Sequence, residues 1–310
     1  EEGKVSMYVC GPTVYDYVHI GNMRPVVVFD TLRRFLSYVG YEVTYVSNYT
    51  DVDDKIILKA QKTGKTEKEI TDFYIGEFEK DVRLIHSKLP NITPRVTEYM
   101  PQIISFIDEL VKKDAAYIVD DDVYFKVSAD PKYGVLSNTN TEDLLVGARI
   151  DENMKKQSPL DFTLWKKTEV GVKWNSPWSE GRPGWHTECV VMIQSLFKNG
   201  RIDIHGGGFD LKFPHHENEI AQSMVSKGHA IANYWMHNGF ININSEKMSK
   251  SLGNVITAHD ALTKYGGNTV RLLLLSTHYR APVNFADDML QNNEKEIQKM
   301  QTTYRQIGVK

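Results

Sequence analysis

Cys10 and Cys189 are the only two cysteines of the sequence, and a soft thiolate is a ligand for a borderline metal such as zinc. A second group of donors stands in Pro214-His-His-Glu-Asn-Glu-Ile220. On a helix, His215 and Glu219 are four apart and share a face, while His216 and Glu219 are three apart and nearly do. Two cysteines, a histidine and Glu219 form a tetrahedral zinc set; spacing alone leaves His215 and His216 both open. Each half also has a plainer reading. An isolated cysteine is more often a small buried hydrophobe, and a His-x-x-x-Glu pair more often a solvated helical pairing. Four protein ligands would moreover close the shell, the signature of a structural ion. A different chemistry is offered by Glu246-Lys-Met-Ser-Lys-Ser-Leu-Gly-Asn254. Lys247 and Lys250 there make a cationic loop suited to a triphosphate, although most basic tracts are solvated surface turns.

The elements that must position these groups are read from periodicity. Val5, Met7 and Val9 alternate as a strand ending at Cys10, and Val26, Val27, Phe29, Leu32, Phe35 and Leu36 give an apolar face to a helix over Met23–Tyr38. His19-Ile-Gly-Asn22 then lies at a helix start, where unpaired N–H groups and the dipole favour an anion. Tyr41–Ser47 alternates as a second strand of a βαβ unit, with Gly40 where a C-cap belongs. A helix to about Lys62 follows, with Thr50 as its N-cap and the aspartates of Asp51-Val-Asp-Asp54 as first-turn residues rather than a metal cluster. Further helices are expected over Thr66–Ser87 and Met100–Lys113. Strands at Tyr117–Asp120 and Val123–Val127 flank an Asp120-Asp-Asp122 turn. The stretch to Pro183, rich in turns, tryptophan and proline, reads as an inserted module. The α/β pattern resumes with a helix at Thr187–Phe197 and a strand at Arg201–Ile204, the sheet continues at Ile241–Ile243, and the tail is helical over Ala258–Leu275 and Asp288–Arg305. In an α/β sheet, strand ends and helix starts gather at one edge, so Cys10 and Cys189 could meet there.

Composition narrows the class without naming it. A chain of 310 residues with 41% hydrophobic and 25% charged residues folds rather than staying disordered, and its length suggests two domains or one with a large insertion. A net charge of −3 argues against a general nucleic-acid coat but leaves room for a local basic groove. The cysteine count fits no disulfide framework and points to a reducing, cytoplasmic setting; no apolar run is long enough to span a bilayer. A start at Glu1 without a methionine suggests a trimmed chain.

The histidine turn and the lysine loop, each weak alone, are highly specific in this order on one α/β core. The chain resembles the cysteine-specific class I aminoacyl-tRNA synthetases. His19-Ile-Gly-Asn22 matches that class's HIGH motif and Lys247-Met-Ser-Lys-Ser251 its KMSKS motif. Tyr8-Val-Cys-Gly11, Gly181-Arg-Pro-Gly-Trp-His186, Glu188-Cys189, His205-Gly-Gly-Gly208 and Phe213-Pro-His-His-Glu-Asn-Glu219 are similar to patterns of the cysteine-specific members. The likeness runs from about Tyr8 to the region of Tyr279.

The resemblance implies a Rossmann-like fold divided into a first catalytic half at 1–95, a connective insertion at 96–183, a second half at 184–242, and a lysine loop with a helical stem-contact region at 243–310. It implies one zinc held by Cys10, Cys189, His215 and Glu219, which takes the substrate thiolate as a fifth ligand or in place of a weak one. Amino-acid contacts would be Thr50, Trp185 and Asp210, with His186 and His205 behind the ligands. His19, Asn22, Lys247 and Lys250 would hold ATP with its magnesium; His19, Lys247 and Lys250 would be catalytic, Lys250 foremost at the transition state. Partners implied are ATP, L-cysteine and tRNA(Cys), with no membrane, for a cytoplasmic monomer. Asn22 replaces the second histidine of HIGH; it still donates a neutral hydrogen bond but carries no charge. The family continues past this length into an anticodon-reading part, so this chain should activate cysteine better than it charges tRNA. Two alternatives share the motifs: a paralogous ligase passing the cysteinyl group to an amino sugar, and a catalytically silent binder, which the intact lysine loop disfavours.

Overall fold

A computed structural model describes residues 2–138, 155–248 and 253–308, with only the backbone at Lys247. In chain order the elements begin β1 (Lys4–Val9), α1 (Ile20–Tyr38), β2 (Glu42–Ser47), α2 (Asp54–Thr63), α3 (Glu67–Leu84) and α4 (Met100–Lys112). The middle of the chain holds β3 (Ala116–Val119), β4 (Asp122–Phe125), β5 (Phe162–Lys167), β6 (Trp174–Asn175) and β7 (Glu180–Pro183). Then come α5 (Trp185–Leu196), β8 (Ile202–Gly208), α6 (Glu217–Lys227), β9 (Ala232–Asn238), β10 (Ile241–Ile243) and β11 (Glu246–Lys247). The chain closes with α7 (Ala258–Tyr265), α8 (Gly267–Leu274), β12 (Val283–Phe285) and α9 (Asp287–Gln306).

The central sheet has the order β2-β1-β8-β9 and is parallel throughout. Parallel strands are covered on both faces, which is why Met7, Tyr8 and Val9 are all buried where simple alternation would expose every second residue. β1 is the switch point. Its chain crosses through α1 to β2 on one side, and β8 pairs on the other with Val9 opposite Gly206. Ligands of such sheets bind at the carboxyl edge beside that switch. Helix α1 packs so close that a Cβ on Gly206 would lie 2.2 Å from the Phe29 ring, so glycine there sets the helix–sheet spacing. The turn-rich stretch folds as a separate antiparallel sheet, β3-β4-β5-β7-β6. Its first hairpin turns through Asp120 and Asp121, both at positive φ, as a two-residue turn matching strand twist requires. The part of that stretch at 139–154 lies outside the described residues.

Four expectations change. Ile241–Ile243 does not extend the central sheet; it forms a three-stranded sheet with β11 and β12, and the fourth central strand is β9. β9 (Ala-Asn-Tyr-Trp-Met-His-Asn) is an edge strand whose polar and aromatic residues carry no clean alternation. Asp53, not Thr50, caps α2, accepting Lys55 N–H at 2.7 Å. The tail helix breaks at Gly266, whose φ of +81° ends α7 before α8 begins. On α1 the buried face takes Arg24, Asp30 and Arg33, whereas Phe35 is exposed.

Those buried charges tie α1 to the tail. Asp30 accepts Arg33 Nη2 (3.0 Å), Arg34 Nε (2.8 Å), Lys88 N–H (3.1 Å) and Arg271 Nη2 of α8 (2.9 Å). Burial alone would raise its pKa, but the Arg34, Lys88 and Arg33 hydrogen bonds win and hold it below the ordinary value of 3.8. Replacing Asp30 by alanine strands cationic groups around a dry site, so Asp30→Ala is expected to cost about 3–5 kcal/mol in urea unfolding at neutral pH. A carboxylate with a depressed folded pKa stabilises above its unfolded pKa and loses that contribution as pH falls through the folded value. The wild-type advantage should therefore shrink below about pH 4; an unchanged gap there would exclude the ionised form as its source.

Candidate metal and nucleotide site

The loop after β1 is laced to the segment after β2. Gly11 N–H donates to Asn48 Oδ1 (3.0 Å), Thr50 N–H to Pro12 O (3.1 Å) and Val14 N–H to Thr50 O (3.2 Å). A Cβ on Gly11 would sit 1.6 Å from Asn48 O, so no other residue permits this approach. The lacing aims Cys10 at the edge of the sheet, where its N–H is held by Gly206 O of β8 at 3.2 Å.

α5 begins at Trp185, two residues before the Thr187 that its apolar pattern suggests, and carries Cys189 on its buried face. A wide π-type turn over Lys212–His216 leads into α6 and buries both His215 and His216. The result brings Cys10 Sγ to 3.5 Å from Cys189 Sγ and 3.6 Å from Glu219 Oε1, and His215 Nε2 to 3.0 Å from Glu219 Oε1. One donor atom from each of Cys10, Cys189, His215 and Glu219 lies within 4.8 Å of all the others, so all four residues expected as ligands converge.

A second foursome, Cys10, His205, His216 and Glu219, meets the same limit. The hydrogen bonding separates them. His216 is engaged at both nitrogens, Nε2 with Cys10 Sγ at 3.3 Å and Nδ1 with His237 Nε2 at 2.8 Å. His205 Nε2 is spent on Glu219 Oε2 at 2.6 Å. His215 Nε2, though buried and close to Glu219, makes no hydrogen bond, and its other nitrogen is held by His186 Nδ1 at 3.1 Å. An orphaned buried imidazole nitrogen facing two thiols and a carboxylate is what a metal ligand looks like, which favours His215 over His216.

Without a cation, the site is charged so as to attract one. The Cys10 hydrogen bond, helped by His215, brings the Cys189 thiol down to about 6 against the opposing effect of burial. Burial, reinforced by Cys189 and Glu219, pushes the Cys10 thiol up. His205 and His215 hold Glu219 well below the ordinary carboxylate range despite burial. Against burial, contacts to Cys189 and Glu219 raise His215 to about 10. Burial drives the outer histidines neutral, His186 to about 3 and His237 to about 4. These shifts favour positive charge beside the carboxylate and the thiol, and a divalent ion held by the same donors would supply it.

Of the remaining expected residues, Trp185, His186 and His205 touch the cluster and Thr50 reaches it through Asn48 and Glu188. Trp185 stacks on His215 at 4.1 Å between ring centroids and is 42% exposed, so one face of the indole forms an outer wall. Thr50 is buried and donates its hydroxyl to Glu188 Oε2 at 3.0 Å. Asp210 is exposed in a single turn just past β8, beside Gly208. His205 and His186 bond Glu219 and His215 respectively, behind the ligand atoms. His19 is the N-cap residue of α1, and Asn22 N–H bonds His19 O at 2.9 Å. α1 starts without a side-chain cap or an acidic residue, which suits it to an anion.

The segment after the lysine loop reaches the histidine turn. Ile20 N–H donates to Ile256 O (2.9 Å) and Ala258 N–H to Val18 O (2.8 Å), seating the segment before α7 on the histidine turn. A Cβ on Gly21 would come within 3.0 Å of Met248 Cε. Lys247 lies on β11, its backbone opposite Asn242; its side chain, and Lys250 altogether, lie outside the described residues. Sequence reasoning gave no role to Asn48, His237, Trp235 or Glu188. Three of them have no motif spacing, and Glu188 was visible only as the neighbour of Cys189.

Comparison with known proteins agrees. Residues 1–295 match the family described as tRNA synthetases class I (C) catalytic domain. A cysteine–tRNA ligase of Caldicellulosiruptor saccharolyticus is 51% identical over 308 residues, covering 99% of this chain and 66% of that protein. One of Bacillus cereus is 53% identical over 305 residues, covering 98% and 65%. The chain thus spans just under two thirds of the length of these relatives. Among solved structures, Mycobacterium tuberculosis methionyl-tRNA synthetase in complex with methionyl-adenylate superposes with a TM-score of 0.73 over 93% of this chain and 67% of its own. At 13% identity that likeness establishes the fold alone, a Rossmann-like class I sheet. With those matches the chain belongs to the tRNA synthetases class I (C) catalytic domain family.

Proposed function

We propose that this chain is the catalytic portion of a cysteine–tRNA ligase, activating L-cysteine with ATP and passing it to tRNA(Cys). The observation that carries this reading is the convergence of Cys10, Cys189, His215 and Glu219 around an orphaned imidazole nitrogen. These donors suit one zinc, with His205 and His186 orienting Glu219 and His215 from behind. When bound, zinc supplies a Lewis acid that ligates a substrate thiolate far better than a serine hydroxyl. Such a site rejects the analogue without editing.

The chain's own residues supply the rest. Thr50, Trp185 and Asp210 surround the amino-acid end, with Asp210 suited to an ammonium and the Trp185 indole closing a small pocket. The start of α1, with His19 and Asn22, receives the triphosphate and its magnesium, and Lys247 and Lys250 neutralise the charge that develops as pyrophosphate departs. The cysteine carboxylate attacks the α-phosphorus in line, which needs positioning and charge stabilisation rather than a protein nucleophile. A ribose hydroxyl at the tRNA 3′ end then attacks the acyl carbon of the adenylate, forming the ester as the acyl–phosphate bond breaks and AMP departs. We read the protein as a cytoplasmic monomer; both cysteines are free, and no described helix is long and apolar enough to cross a membrane.

Three outcomes test this. Lys250→Ala should lower cysteine-dependent ATP–pyrophosphate exchange by about 10²–10³-fold with the thermal midpoint unchanged; wild-type exchange would remove that lysine from the mechanism. Cys189→Ser should lose zinc measured by metal analysis, or discriminate less between cysteine and serine; a full zinc equivalent with intact selectivity would place the thiol outside the site. At pH 7 His215 and Cys10 carry protons that a metal must displace, while Cys189, at about 6, is mostly ionised. Zinc titrated into the apo-protein in buffers of differing ionisation enthalpy should therefore release about two protons, and more below pH 6 as Cys189 protonates. Release that does not depend on pH would contradict this charge arrangement.

A further inference from the structure

A cavity of about 220 Å³ lies where the inserted sheet meets the first catalytic half, and none of its lining residues belongs to the metal set or the nucleotide motifs. Its walls are mostly apolar. Val52, Ile56 and Ile57 line it at the start of α2, and Val172 and the Trp174 indole face them from the insertion. The gap is held open by contacts on either side. Gly171, at φ +80°, lies so near α2 that a Cβ would stand 2.6 Å from Ile57 Cδ1, and Val172 N–H donates to Glu67 Oε1 at 3.2 Å. Asp54, the first residue of α2, pairs with Arg182 and with Lys166 (3.6 Å) of the inserted sheet. Close-packed interiors keep few voids of this size. An engineered apolar cavity of about 150 Å³ takes up benzene, so this one admits a two-ring body.

The charges around the cavity choose the class of ligand. Lys68 and Arg95 are both committed to Asp72. Asp51 spends its two oxygens on Thr97, at 3.0 Å from the N–H and 2.6 Å from the hydroxyl. Asp53 and Glu67 each accept one backbone N–H through one oxygen, from Lys55 and Val172, and neither has an ion-pair partner among the described residues. We propose that this cavity is a ligand site separate from the amino-acid pocket, taking a protonated amine on a flat apolar body. The rings lie between Trp174 and the Ile56–Ile57 face, and the ammonium meets Asp53 and Glu67. An organic acid of the same shape finds no uncommitted cation there and is turned away by the carboxylates. Once seated, the amine joins the inserted sheet to α2 through a single molecule.

The probe is tryptamine, an indole bearing an ammonium, with indole-3-propionate, the same rings bearing a carboxylate, as its counterpart. Calorimetric titration into the zinc-loaded whole chain measures both. Tryptamine should bind saturably with a Kd below about 1 mM, and the acid at least about tenfold more weakly. Binding should persist in saturating cysteine or ATP; competition by either would put the amine in the site already described and overturn the proposal. Val172→Trp fills the cavity from a position that is 40% exposed. It should abolish tryptamine binding while the thermal midpoint and cysteine-dependent exchange stay unchanged. Asp53→Asn combined with Glu67→Gln keeps both N–H acceptors but removes the charge, and should weaken tryptamine about tenfold while the acid gains. No saturable binding of tryptamine, equal affinity for the acid, or undiminished binding in either variant would overturn the proposal.

Discussion

β1 parts from its neighbours in opposite directions: its chain crosses through α1 to β2, whereas β8 arrives beside it from beyond the insertion. In a parallel sheet that divergence opens a crevice at the carboxyl edge, and several groups of the candidate site lie along it. Cys10 is the first residue past β1, the histidine turn starts α1, and Asn48 and Thr50 follow β2. Asp210 follows β8, and His237 lies near the end of β9. The pairing of Val9 with Gly206 is therefore the condition on which the site depends. A register slip of one residue would turn Cys10 to the opposite face and dissolve the metal set.

Burial gives the site its charge logic. Several histidines crowd it, yet His186, His216 and His237 are driven neutral and act as oriented hydrogen-bonding groups. Only His215, against Glu219 and Cys189, is pushed the other way. His186, His216 and His237 thereby add no positive charge to offset that of the Glu219 carboxylate and the Cys189 thiol. Stacking of Trp235 on His205 at 4.7 Å, and of Trp185 on His215, keeps these rings in one orientation without further polar partners.

The start of α1 is held in place by buried charges. Arg24, on α1 just past Asn22, sends Nη1 to Phe240 O (2.9 Å) in the β9–β10 turn and Nη2 to Thr277 Oγ1 (3.2 Å). Burial lowers its pKa to about 10, still cationic at neutral pH. Asp30 does the same service nearly two turns further on, reaching α8 through Arg271. Buried charges of this kind contribute little net stability compared with an apolar replacement, but they permit one arrangement only. That arrangement holds β10, and the strand that carries Lys247, against the helix that begins at His19.

The sequence by itself determined the chemistry available: two thiols, a histidine–glutamate helix, a histidine turn and a lysine loop, along with most helices and the α/β class. Those are local facts, set by residue type and by periods of two and 3.6 residues. It could not choose between His215 and His216, because both are compatible with helical spacing to Glu219. The turn at Lys212–His216 departs from that spacing, and the partners of each ring come from β1, α5 and β9. It assigned Thr50 to a helix cap, a local role, whereas its hydroxyl is taken by Glu188 on a helix remote in sequence. β9 was missed because an edge strand lined with site residues lacks the alternation that marks a half-buried one. What only the tertiary structure decided was which lone pairs and protons face one another, since hydrogen-bond direction and desolvation depend on neighbours brought together by strand order and not by proximity in the chain.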